Sequence, residues 1–113
     1  MPASPPLSPV RKGAGLVFIS GQLPRRDGVM IAGDIRAQTE QVINNLEARL
    51  AGEGLGLADV VKTTVWLTDK SLAAEFNAVY AARFPEPYPA RSTIVSGLIA
   101  DADIELEAIA VAR

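Results

Sequence analysis

The 113-residue sequence contains no cysteine and no histidine. The first absence removes disulfides and thiolate nucleophiles, and the second removes the imidazole base and the usual nitrogen ligand for zinc or iron. Acid–base chemistry is left to carboxylates, lysine, tyrosine, backbone groups or water. Aromatic residues make up only 5% of the chain, and the formal net charge is −2 with a pI of about 5.0. A chain so charged lacks the overall positive field that grips phosphates, which disfavours nucleic acid as a partner. No apolar run approaches the roughly 18 residues that cross a bilayer, so no membrane association is expected. The Pro-rich start lacks the basic end and apolar core of a signal peptide, and the cytoplasm is the expected location.

What is present is ordinary for a folded protein: 49% hydrophobic and 21% charged residues, in a length that suits one domain of roughly 100–150 residues. Four of the eight prolines fall in the first nine residues, and residues 1–13 read as an extended N-terminal arm, with the domain proper at residues 14–113. Leu16-Val17-Phe18-Ile19 is a β-rich run closed by Ser20-Gly21. Residues 22–28 have turn composition, and residues 29–32 are expected to complete a hairpin with the first run.

Asp34 suits a helix N-cap, and Ile35, Thr39, Val42, Ile43, Leu46 and Leu50 then recur at spacings of three and four, predicting a helix over residues 35–52. Gly52, Gly54 and Gly56 supply its exit. Residues 60–68 follow as a strand, with Val61, Thr63, Val65 and Leu67 expected on one face and Val60, Lys62, Thr64 and Trp66 on the other. Ser71 is the expected cap of a second helix over residues 72–84, ended by Pro85, Pro87 and Pro89. Strands at residues 91–96 and 103–112 complete the order ββαβαββ, an α+β domain. The last strand carries Ile104, Leu106, Ala108 and Ala110 on one face and Glu105, Glu107, Ile109 and Val111 on the other, so both faces hold apolar side chains. Two helices can cover only one of them, and a neighbouring subunit is the expected cover for the second.

Four segments are more specific. They are Ile19-Ser20-Gly21-Gln22-Leu23-Pro24, Val60-Val61-Lys62-Thr63-Thr64-Val65, Phe76-Asn77-Ala78-Val79-Tyr80, and Pro89-Ala90-Arg91-Ser92 followed by Ile104-Glu105-Leu106-Glu107-Ala108-Ile109-Ala110. In order and spacing they resemble the RidA/YjgF family over roughly residues 16–111. The resemblance implies a chorismate-mutase-like fold and a homotrimer with a central barrel of sheets and helices outside. It also implies hydrolysis of reactive enamine/imine intermediates, such as 2-iminopropanoate and 2-iminobutanoate, to 2-oxo acids and ammonia without a metal or cofactor.

Carried over by position, the resemblance makes Arg91 the anchor for a substrate carboxylate, a task suited to the paired N–H donors of a guanidinium. Glu105 becomes the group that activates water, although Glu107 shares its face. Asn77, Ser20, Gly21 and Thr93 form the supporting substrate-binding set, with Thr93 standing where many members have cysteine. Two departures bear on the cleft. No tyrosine occurs in Ser8-Pro9-Val10-Arg11-Lys12-Gly13-Ala14-Gly15, where active members carry one, and Leu98-Ile99 replaces a common Leu-Pro pair. Tyr88 lies close to Arg91 in sequence and could approach the cleft from another direction. A non-catalytic binder or sensor of small carboxylates is the alternative function, and a ribonuclease is the third.

Overall fold

Ala14 and Gly15 both have positive φ, 55° and 77°, the backbone of a two-residue primed turn that matches the twist of antiparallel strands. That turn joins β1 (Val10–Gly13) to β2 (Leu16–Gln22), with Val10 opposite Ile19 and Gly13 opposite Leu16. In the computed structural model, which describes residues 4–113, the last four residues of the expected arm are therefore an edge strand of the sheet. The first three residues of that arm lie outside the described residues. The hairpin expected between residues 16–19 and 29–32 does not form. A second primed turn, Asp27-Gly28 with φ of 54° and 79°, instead closes a separate ribbon of β3 (Arg25–Arg26) and β4 (Val29–Met30).

Helix α1 (Ile35–Ala51) begins where expected, the Asp34 carboxylate accepting from the Ala37 N–H at 2.9 Å. Of the glycines after it, Gly54 takes the left-handed conformation at φ 72°. Gly52 stays right-handed and Gly56 is extended, so one glycine, not three, makes the turn. A 3-10 turn at Leu57–Asp59 leads into β5 (Val60–Leu67), and another at Lys70–Leu72 into α2 (Ala73–Arg83). The second turn is capped by Asp69, whose carboxylate accepts from the Ser71 N–H, and not by Ser71 itself. The chain then enters β6 (Ala90–Val95) and β7 (Ile104–Val111).

The five strands stand in the order β1-β2-β7-β5-β6. The β5–β6 pair is parallel, with α2 in the crossover, and the other pairs are antiparallel. The α+β order ββαβαββ holds, with β1 in place of β4 as the hairpin partner of β2. Both helices lie on one face of the sheet. Val42, Ile43 and Leu46 of α1 and Phe76 of α2 are fully buried there with Ile104, Leu106 and Ala110 of β7. In β5 the expected alternation is interrupted. The register shifts between Val60 and Lys62, so Val60 joins Thr63, Val65 and Leu67 in the core and Val61 is exposed. A single extra residue in a strand reverses the facing of what lies before it.

Among the described residues, no element covers the other sheet face. Phe18 and Ile109 sit opposite each other on it, as do Trp66 and Ile94, and Val111 lies beyond them. Phe18, Ile94 and Val111 are each more than 40% exposed. A polar tie closes the opposite end of the core. The buried Gln38 donates to Asp103 Oδ2 at 3.1 Å and accepts from the Asp103 N–H at 2.8 Å, while Thr68 Oγ1 donates to Asp103 Oδ1. Truncating Leu46 to alanine, in the middle of the packed face, should cost about 2–5 kcal/mol, read as a lowered urea midpoint with an unchanged slope.

Candidate functional site

Arg91 is the second residue of β6 and pairs with Thr63 of β5. Its side chain runs toward α2 and is held on three sides. The guanidinium carbon lies 5.2 Å from the Phe76 ring centroid and 4.8 Å from that of Tyr80. Nη2 donates to Asn77 Oδ1 at 2.7 Å. The spacing of Phe76 and Tyr80, four residues apart, sets their rings side by side on one helix face, tilted by 54° with centroids 5.5 Å apart, and Asn77 sits between them in sequence. Tyr80 is itself fixed, because its hydroxyl and Thr63 Oγ1 share a buried hydrogen bond of 2.8 Å. Burial pushes the Tyr80 phenol above its ordinary range, against the smaller opposing pulls of Thr63 and Arg91. A cavity of about 250 Å³ opens beside the guanidinium, lined by Asn77, Tyr80, Ala81, Tyr88, Pro89 and Arg91.

Glu105 belongs to the other face. It pairs with Trp66 across the sheet, between the buried neighbours Ile104 and Leu106. Its side chain lies directly over Gly21, where an added Cβ would fall 2.0 Å from Oε2. Gly21 is thus glycine because the carboxylate occupies the space of a side chain. Ser20, one residue earlier, donates its hydroxyl to the Ser8 carbonyl at 2.6 Å and its N–H to the Pro9 carbonyl at 3.0 Å. These bonds pin the segment before β1 against β2. Ser20, Gly21, Glu105 and Glu107 line one large groove, with Leu7 and Ile99 on its walls. The Glu105 carboxyl is raised above the ordinary glutamate value, first by burial and then by the negative charge of Glu107.

The sequence-derived site residues thus fall into two groups. Arg91, Asn77 and, by its register opposite Val65, Thr93 lie on the helix-covered side at the β6 edge. Ser20, Gly21 and Glu105 lie at the groove on the open side. Within one chain the guanidinium and the Glu105 carboxylate do not meet. Of the two candidate glutamates, Glu105 is half-buried and shifted, whereas Glu107 is exposed. Sequence reasoning missed the roles of Phe76 and Tyr80 as the platform under Arg91, although their four-residue spacing on a helix was a usable signal. A groove carboxylate shifted by two causes should respond to each. In a carboxyl-carbon NMR titration, Glu107→Gln is expected to move the Glu105 midpoint downward yet leave it above the ordinary glutamate value, since burial is the larger cause.

Comparison with known proteins agrees with this architecture. Residues 1–112 match the Endoribonuclease L-PSP family. A RutC family protein of Pyrococcus horikoshii is 44% identical over 108 residues, covering 93% of this chain and 86% of that protein. The chloroplastic Reactive Intermediate Deaminase A of Arabidopsis thaliana is 41% identical over 108 residues, or 93% of this chain and 58% of the longer plant protein. The crystal structure of RidA from an Antarctic Psychrobacter superposes with a TM-score of 0.88 at 38% identity, covering 97% of this chain and 91% of that one. With the family matched along nearly its whole length and its fold reproduced strand for helix, the chain belongs to the RidA/YjgF family.

Proposed function

We propose that the protein hydrolyses 2-imino acids to 2-oxo acids and ammonia, in a cleft formed where the Arg91 group of one subunit meets the Glu105 groove of the next. The observation that carries this reading is the division of the site between two sheet faces, one of which is apolar and uncovered. A neighbouring copy seated on Phe18, Trp66, Ile109 and Val111 would bury that face. A closed ring of three copies, with sheets inside and helices outside, would use the face in every subunit.

The chemistry follows from the residues. The Arg91 donors not engaged by Asn77 would receive the substrate carboxylate as a paired hydrogen bond. Water adds to the carbon of the protonated imine, one water proton passing to Glu105, and the neutral carbinolamine collapses to C=O as the C–N bond breaks and its hydroxyl proton is released to solvent. The proton held on Glu105 goes to the departing nitrogen, which leaves as ammonia. A carboxylate raised by burial is a stronger base when ionised, which suits it to the first transfer and leaves it able to complete the second.

Ribonuclease chemistry fits this arrangement less well. The groove lining sets Glu105 and Glu107 against Arg25 and Arg49, so it carries no net positive field to grip a phosphate backbone. Binding of a small carboxylate without turnover uses the same Arg91 contacts, and Leu7 on the groove wall offers no acid or base to add to Glu105. The two are separated by assay.

Three outcomes are expected when the imine is generated in situ by an amino-acid oxidase and 2-oxo acid release is followed. Arg91→Ala and Glu105→Gln should each lower the rate at least a hundredfold. Gly21→Ala should lower it as well, with little loss of stability, because its methyl group displaces only the flexible end of Glu105. Mixed assemblies of Arg91→Ala and Glu105→Gln chains should recover activity, since some clefts then pair an intact Arg91 with an intact Glu105. No recovery would place both residues in one chain's site and overturn the shared cleft. Tight binding of 2-oxobutanoate with no turnover would leave a binder.

A further inference from the structure

The cavity beside Arg91 is larger than a carboxylate anchor needs. At about 250 Å³ it has room for about eight water-sized groups at ~30 Å³ each. Beyond Arg91 and Asn77, its lining is the Tyr80 and Tyr88 rings, the Pro89 ring and the Ala81 methyl group. The two tyrosines are in contrasting states. Tyr80 is 4% exposed and hydrogen-bonded into the core, whereas Tyr88, on the Pro-rich turn after α2, is 47% exposed. A large aromatic side chain left open next to a fixed guanidinium gains by being covered with another apolar surface.

Resting on the carboxylate-anchoring reading above, we propose that this cavity is the side-chain pocket of the site and that Tyr88 is its specificity-determining residue. The preferred ligands are 2-oxo or 2-imino acids that carry a bulky hydrocarbon substituent. A carboxylate gripped by Arg91 has its substituent beside the Tyr88, Pro89 and Ala81 wall. A second negative charge on that substituent would meet no cation among the lining residues except Arg91, which the first carboxylate occupies, so acidic substituents are rejected. The smallest acids fill only the guanidinium end and leave Tyr88 wet.

Titration calorimetry of the full chain with pyruvate and with phenylpyruvate tests this. Phenylpyruvate is expected to bind about tenfold more tightly than pyruvate, the gain from covering part of one aromatic ring. Tyr88→Ala should bring the ratio of the two affinities close to one. Ala81→Leu, which fills the same space from α2, should lower the ratio too and serves if the turn variant does not fold. Equal affinities in the unaltered protein, or a ratio indifferent to both substitutions, would overturn the pocket, while loss of pyruvate binding in Arg91→Ala would leave the anchor standing. Failure of either acid to bind, or binding indifferent to Arg91→Ala, would overturn the anchor and the pocket together.

Discussion

Two helices cannot cover both faces of a five-stranded sheet, and in this protein both helices lie on the same one. That constraint decides where everything else stands. The covered face holds the core and, at its β6 edge, Arg91 on its aromatic platform. The uncovered face holds an apolar band of Phe18, Trp66, Ile109 and Val111 and, in the groove beside it, Glu105. Burying an exposed apolar band of this kind is favourable. If what covers it is a second copy, the act that buries the band also brings the two halves of the site within reach of each other. Stability of the assembly and formation of the cleft are then one event.

Each half is built to hold one group still. On the arginine side, the guanidinium is planar and weakly hydrated, so it can lie against the Phe76 and Tyr80 rings while its edges stay free for hydrogen bonds. A lysine ammonium would keep the charge and lose both the stacking and the forked geometry. The Tyr80 ring does not slide, because its buried hydroxyl is satisfied by Thr63 on the strand beneath. That bond links the helix platform to the strand paired with Arg91 itself, so helix and strand fix the same side chain from two directions. On the glutamate side, positioning is by omission. Gly21 has no Cβ, and the carboxylate lies in the space thereby left.

Much of this could be read from the sequence, and what could not has identifiable physical causes. Helix α1 was legible because Asp34 and the Ile35-to-Leu50 stripe signal it at two levels, cap and periodicity. The alternation in β7 was legible because nothing interrupts it. The partner of β2 was not. Proline content suggested an arm through residue 13, yet Val10-Arg11-Lys12-Gly13 pairs as a strand because Ala14-Gly15 can adopt a primed turn, a signal weaker than Asp27-Gly28 nearby. The bulge at Val61 leaves no mark in composition, since Val60 and Val61 are the same residue and only the register distinguishes them. Local rules placed Arg91 and Glu105 on their strands, but the face each occupies in the folded chain depends on long-range pairing. The family resemblance supplied the names of the residues. The separation of those residues between two faces is a property of the folded sheet alone.

The lack of histidine gives this separation a chemical meaning. A fold without imidazole can move protons near neutrality by tuning a carboxylate, and the means are burial and like charge. Both act on Glu105, through its half-buried position and through Glu107. A nearby guanidinium on the same chain would oppose them, since a cation stabilises the ionised carboxylate and lowers its pKa. Keeping Arg91 on the opposite face of its own sheet removes that opposing charge from Glu105 within the chain. In the proposed cleft a bound ligand's carboxylate pairs with Arg91 and cancels most of its charge as seen by Glu105. The anchor and the base can then share a few ångströms without one disabling the other, provided the ligand is there to stand between them.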